Sequence, residues 1–175
     1  GQSGAAQQRI MEGSPIGQFY TWEWAGYNES GISTYYERDL QTGERTGATT
    51  TTPQDKDRAA TGSAQPKFIY GWHNTMNYKK FSLNAVFQGV YGNKIMNGTR
   101  ARHSNVVGNA GNKNLLASVL ETEKLSDYNA HFLSDRYLED GSYLRLAQVA
   151  LGYNIGNLGS INNVRLYANI NNAFV

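Results

Sequence analysis

The sequence predicts an all-β fold built from antiparallel strands, and three observations carry that prediction. Tyr (12), Asn (18) and Gly (19) are abundant among the 175 residues and only 17% are charged, a composition that suits strands joined by polar loops and suits helix bundles poorly. Apolar and polar residues alternate with a period of two over long stretches, which sends them to opposite sides of an extended chain. The strongest of these stretches come in pairs joined by short reversals, and long polar segments separate the pairs.

Taken in order, Gln18 to Ala25 (QFYTWEWA) predicts a strand with Tyr20, Trp22 and Trp24 on one face, and Ile32 to Arg38 a weaker one. Residues 39–66 mix Thr, Gly and charge with Pro53 and lack periodicity, so they predict a long loop. Phe68, Tyr70, Trp72, Met76 and Tyr78 then share one parity, interrupted by Asn74, against Ile69, Gly71, His73, Thr75 and Asn77. After a reversal at Lys79-Lys80, Phe81, Leu83, Ala85, Phe87 and Tyr91 oppose Ser82, Asn84, Val86, Gln88 and Val90. This is a hairpin of two long strands.

Residues 93–135 form a second long polar stretch, in which Leu115, Leu116, Val119 and Leu120 have the spacing of one short helix. Glu139-Asp140-Gly141-Ser142 predicts a turn into a long strand, where Gln148, Ala150, Gly152 and Asn154 alternate with Val149, Leu151, Tyr153 and Ile155. A reversal within residues 156–162 leads to a last strand, with Val164, Leu166, Ala168 and Ile170 against Arg165, Tyr167, Asn169 and Asn171.

Short turns alternating with long loops are the sequence habit of outer-membrane β-barrels. The long strands reach the ~9–11 residues needed to cross a bilayer at a tilt, and Tyr78, Tyr91 and Tyr153 sit near strand ends as interfacial aromatics do. A soluble antiparallel sandwich alternates in the same way and stays open on this evidence. Arg145 shares parity with Val149 and Leu151, which puts it on the lipid side of a barrel. An Arg costs ~2–4 kcal/mol at the bilayer midplane and almost nothing at the interface. Arg145 is therefore expected at the outer headgroups, with the membrane-crossing part beginning near Ala147.

Several function classes are set aside. The formal net charge of +2, with no Lys/Arg block, argues against a nucleic-acid partner. The absence of cysteine excludes disulfides and thiol catalysis. No apolar run approaches the ~18 residues of a transmembrane helix; no signal peptide is visible and the first residue is Gly1, which suggests a mature or truncated product. His73, His103 and His131 are widely spaced, so no metal is expected. His103-Ser104 lacks a nucleophile elbow, Glu139-Asp140 reads as turn-forming, and no phosphate loop exists. No catalytic residue, enzyme activity or cofactor is expected.

The stretch from Asp140 to Leu146 (DGSYLRL), continuing to Leu151-Gly152-Tyr153, resembles the late-barrel signature of the SusC/RagA-type TonB-linked outer-membrane transporters. Other pieces agree in order: Gly13 to Tyr20 (GSPIGQFY) with Gly26, Asp57-Arg58 with Gly62, and Pro66-Lys67-Phe68 with Gly71. Tyr78-Lys79-Lys80-Phe81 is similar to a periplasmic turn, and Asn172-Ala173-Phe174 to the family's Asn-x-Phe near its penultimate strand.

The resemblance implies the C-terminal part of a 22-stranded barrel with long extracellular loops, about 39–66 and 93–135. Residues 1–175 would be a partial barrel domain, with the plug, the TonB-contacting segment and the closing strand absent. It implies import of oligosaccharides or oligopeptides through the outer membrane, with a SusD-like lipoprotein lid, energised by TonB. His73, Asn77, Asn84, Gln88, Gln148, Asn154, Arg165, Tyr167 and Asn169 would then face the lumen or plug. Trp72, Tyr78, Phe81, Phe87, Tyr91, Leu151 and Tyr153 would face lipid or its interface. Many relatives carry an acidic, calcium-like loop where this chain has Arg38 to Arg45 (RDLQTGER); only Asp39 and Glu44 supply carboxylates, so no calcium is expected. The alternative function is a secreted or surface sandwich that binds carbohydrate, with Trp22, Trp24 and Trp72 as sugar-stacking platforms.

Overall fold

A computed structural model describes residues 7–104, 114–119, 127 and 133–174. Its strands are β1 (Gln18–Trp22), β2 (Trp24–Tyr27), β3 (Ser33–Arg38), β4 (Arg45–Thr50), β5 (Arg58–Ser63), β6 (Phe68–Tyr78), β7 (Phe81–Tyr91), β8 (Lys94–Met96), β9 (Leu138–Asp140), β10 (Tyr143–Leu158) and β11 (Ile161–Phe174). One short helix, α1 (Gly98–His103), lies between β8 and β9. Every pair of these strands is antiparallel, and the all-β prediction holds.

The chain divides into two compact units, Gly1–Gln65 with Lys94–Asp140, and Pro66–Asn93 with Gly141–Val175. The second unit is a single sheet in the order β11-β10-β7-β6. Both predicted hairpins are present. β6 and β7 pair without irregularity from Phe68↔Tyr91 to Tyr78↔Phe81, across a two-residue turn in which Lys79 sits at φ 53°. β10 and β11 turn at Gly159-Ser160, inside the expected range.

The first unit departs from expectation in four places. The strand predicted over residues 18–25 is two strands: β1 pairs with β5 and β2 with β3. They part at Glu23, whose carboxylate binds Arg38 and Arg45. The loop predicted over residues 39–66 contains β4, a 3-10 turn over Asp55–Asp57, and β5. These strands are made of Thr, Ala and Gly with little apolar alternation, and they are held by their partners; Thr61 of β5 shares a 2.7 Å hydroxyl hydrogen bond with Thr21 of β1. Glu139 and Asp140 belong to β9, paired with β8, rather than to a turn. The segment 93–135 carries α1, begun where the Asn97 side chain accepts the Arg100 N–H. Of the helix expected at 115–120, residues 114–116 are irregular, Val119 is helical and buried, and Leu120 lies outside the described residues.

This unit's core is small and partly polar. Tyr35 and Tyr137 are fully buried with Thr21, Ser33, Asp57 and Ser134. Asp57 accepts the backbone N–H groups of Arg38 and Gln54 at 2.9 and 2.8 Å. Burial pushes its carboxyl up, but these hydrogen bonds and the Lys56 ammonium outweigh burial and hold it below the usual range.

Glu23 is held low as well, first by the hydrogen bond from Arg45, against burial, and then by Arg38. A depressed folded value means that its stabilising contribution is complete above the ordinary carboxylate range and is lost as pH falls through the folded value. Hydrogen exchange across β3 and β4, corrected for intrinsic rates, should therefore quicken as pH falls below the ordinary carboxylate range. Glu23→Gln should show that faster exchange already at pH 7.

Candidate functional site

The four-stranded sheet has two chemically distinct faces, and cross-strand register fixes which residue lies on which. On the apolar face the pairs are Phe68↔Tyr91, Trp72↔Phe87, Met76↔Leu83 and Tyr78↔Phe81 across β6 and β7. The face continues through Leu83↔Leu151 and Phe81↔Tyr153, then Leu151↔Ala168 and Tyr153↔Leu166. Its rings pack on one another: Phe68 and Tyr91 stack at 5.1 Å, Trp72 and Phe87 at 5.3 Å, and Phe81 meets Tyr153 at 4.7 Å. Gly89 lies opposite Tyr70, and a Cβ there would fall 2.2 Å from the ring, so the glycine lets Tyr70 lie flat over β7.

This face is exposed. Trp72 keeps 59% of its surface, Leu166 60% and Ile170 58%. Such a continuous apolar patch is foreign to a soluble surface. Aromatic residues mark both ends, Phe68, Tyr70 and Tyr91 at one and Tyr78, Phe81 and Tyr153 at the other. The rise along β6 between them is about 33 Å, which a strand tilt of about 40° brings close to the ~25 Å apolar band of a membrane barrel.

The opposite face holds all nine polar residues singled out from the sequence: His73, Asn77, Asn84, Gln88, Gln148, Asn154, Arg165, Tyr167 and Asn169. Several are hydrogen-bonded across strands. His73 Nε2 and Asn84 Oδ1 are 2.9 Å apart, Gln148 Nε2 donates to Asn169 Oδ1 at 3.3 Å, and Arg165 Nη2 donates to Ser82 Oγ at 2.8 Å. Gly152 makes the last contact possible, since a Cβ there would lie 2.5 Å from Ser82 Oγ and 3.1 Å from Arg165 Nη2. Around this point Thr75, Asn77, Asn84 and Tyr167 line an open depression of about 460 Å³.

Arg145 corrects the sequence-based expectation. It does not share a face with Val149 and Leu151. Against β7 the register shifts between Leu146 and Gln148 and leaves Ala147 without a partner, so Ala147 is a bulge, and this extra residue turns over a straight parity count for everything before it. Arg145 pairs with Gln88 on the polar face and donates from Nη2 to Gln88 Oε1 at 2.8 Å, while Leu146 pairs with Phe87 on the apolar face. The signal was present in the sequence: the large apolar residues fall at Leu144 and Leu146, then at Val149 and Leu151, changing parity across Ala147.

Charge divides between the two units. All 14 Asp and Glu residues fall in the first; the second contains none, beside Lys67, Lys79, Lys80, Arg145 and Arg165.

The remaining candidates are taken up structurally. Trp22 donates to the Gln54 carbonyl at 2.7 Å beneath the Arg58 guanidinium, and Trp24 packs against Tyr27 and Arg136. Asp39 closes a turn by accepting the N–H groups of Gln41 and Thr42. His103 Nδ1 lies 2.8 Å from the Asn114 carbonyl oxygen, and His131 is outside the described residues. Among the described residues no three His, Asp or Glu side chains stand together as metal ligands do.

No family model matches the chain. A TonB-dependent receptor of Formosa agariphila is 28% identical over 91% of this chain and 18% of its own length. A second TonB-dependent receptor of that organism is 31% identical over 57% of this chain and 11% of its own. Among solved structures, the RagAB peptide transporter matches with a TM-score of 0.67 at 22% identity, over 90% of this chain and 19% of that one. The RagAB peptide importer in its closed-closed state matches with a TM-score of 0.69 at 23% identity, over 97% and 21%. The chain thus spans about a fifth or less of the length of these relatives, which are named as receptors and transporters rather than enzymes. The resemblance to the SusC/RagA-type TonB-dependent transporters is borne out, in sequence along most of the chain and in fold.

Proposed function

We propose that this chain forms part of the wall of a TonB-energised importer in the outer membrane. The observation that carries the proposal is the two-faced sheet: a broad exposed apolar face edged by aromatic rings, backed by a face of Asn, Gln, His, Tyr and Arg. Hydrocarbon accepts the first and a water-filled or plugged lumen the second. Trp72, Tyr78, Phe81, Phe87, Tyr91, Leu151 and Tyr153 then meet lipid or its interface, and the nine polar residues border the solute path. Residues 1–175 act as a partial barrel domain; β6 and β11, which have free edges in the described sheet, pair with further strands. The likeness to TonB-dependent receptors supports energised import, and in this reading the cargo is an oligosaccharide or oligopeptide and a SusD-like surface lipoprotein is the lid.

Expressed alone, residues 1–175 should aggregate in plain buffer and need detergent or lipid to stay dispersed, because open edges and the apolar face would both be in water. Sedimentation with and without detergent measures this. A detergent-free monomer with a sharp cooperative melt would contradict the proposal and favour a soluble sandwich.

A further inference from the structure

We infer that Arg165 and its neighbours form a carboxylate-binding site on the polar face, filled by an acidic side chain of a protein segment seated against that face. The inference rests on the proposal that this face borders the pore.

The charge distribution is the first support. A sheet with no Asp or Glu carries two arginines on one face, and among the described residues neither meets a carboxylate. Arg145 even buries its Nε with no hydrogen-bond partner. A guanidinium has five N–H donors in a planar fork. Arg165 directs one of them at Ser82 Oγ, which anchors the group and leaves the rest of the fork for another acceptor.

The surroundings supply the second support. Gly152 clears the floor on which the guanidinium lies, so the group is held at a set place on the sheet rather than waving in solvent. The depression beside it is lined by Asn77, Asn84 and Tyr167, and Tyr167 is 81% exposed. A fixed fork flanked by neutral amide and phenol donors matches the two oxygens of a carboxylate, which Arg binds bidentately. The described sheet has no acid with which to neutralise these cations, so the complementary charge comes from outside it.

The test uses the intact protein, with a photo-crosslinking benzoyl-phenylalanine at Tyr167. After irradiation and proteolysis, mass spectrometry should find the adduct on a peptide whose attachment point lies within a few residues of an Asp or Glu. Arg165→Glu should lower that yield at least tenfold, and Arg165→Lys, which keeps the charge, should retain most of it. Heat-modifiable electrophoretic mobility checks that each variant is folded.

An adduct that forms without added solute identifies a protein segment as the carboxylate source. One that forms only when acetylated tetraglutamate is added assigns the same site to a solute carboxylate and overturns the protein-segment occupant. Crosslinking to an acid-free segment, or a yield that Arg165→Glu leaves unchanged, overturns the site while the pore-facing assignment stands. Crosslinking to lipid alone overturns both.

Discussion

Val149→Arg should all but abolish folding of the intact protein into the membrane, while Gln148→Arg, one residue away, should be tolerated. Val149 lies on the apolar face between Ala85 and Ile170, about midway between the two aromatic borders. There an Arg costs about 2–4 kcal/mol, or about 30-fold to 1,000-fold in the ratio of folded to unfolded protein. Gln148 pairs with Val86 and Asn171 on the other face, where it already hydrogen-bonds Asn169. The folded fraction in outer membranes, read by heat-modifiable electrophoretic mobility, separates the two variants. Equal tolerance of both would mean that the apolar face does not meet hydrocarbon.

Deleting Ala150 should destabilise the barrel by at least about 2 kcal/mol more than deleting Ala147. Either deletion removes the one-residue excess of β10 over β7 and restores strict alternation. Without Ala147, residues Gln148, Leu146 and Arg145 keep Val86, Phe87 and Gln88 as partners, and each stays on its face. Without Ala150, alternation between Leu151 and Leu146 brings Gln148 opposite Ala85 on the apolar face and Val149 opposite Asn84 on the polar one. An amide then enters hydrocarbon and a valine leaves it. The denaturation midpoint of the detergent-solubilised intact protein measures both.

The contrast between the two units explains what was legible in the sequence. In β6 and β7 the register runs without a bulge, the large apolar residues keep one parity apart from the break at Asn74, and two lysines close the turn, so pattern fixes strands, register and faces. The same holds for β10 and β11 from Gln148 to Asn154. β4 and β5 were hidden because a strand of Thr, Ala and Gly has no apolar period; their pairing is decided by distant partners such as Thr21 and Tyr35. The split at Glu23 depends on Arg38 and Arg45, 15 and 22 residues away, which no local pattern encodes. Arg145 was placed on the wrong face by a parity count that ran straight through a bulge. As for the candidate site, alternation alone was enough to group the nine polar residues on one face. The part played by Ser82 and Gly152 in holding Arg165 was not, because it depends on which residues sit opposite one another across strands.

The central claim is that the two faces of this sheet meet lipid and water respectively. Spin labels placed singly at residues 82 to 88 of β7, in the intact protein reconstituted in liposomes, test it most directly. Accessibility to oxygen should peak at Leu83, Ala85 and Phe87, and accessibility to a water-soluble nickel chelate at Ser82, Asn84, Val86 and Gln88, or be low at both where a packed plug excludes the chelate. Accessibility to the chelate at Leu83, Ala85 and Phe87, with oxygen favouring the even positions or showing no period of two, would contradict it.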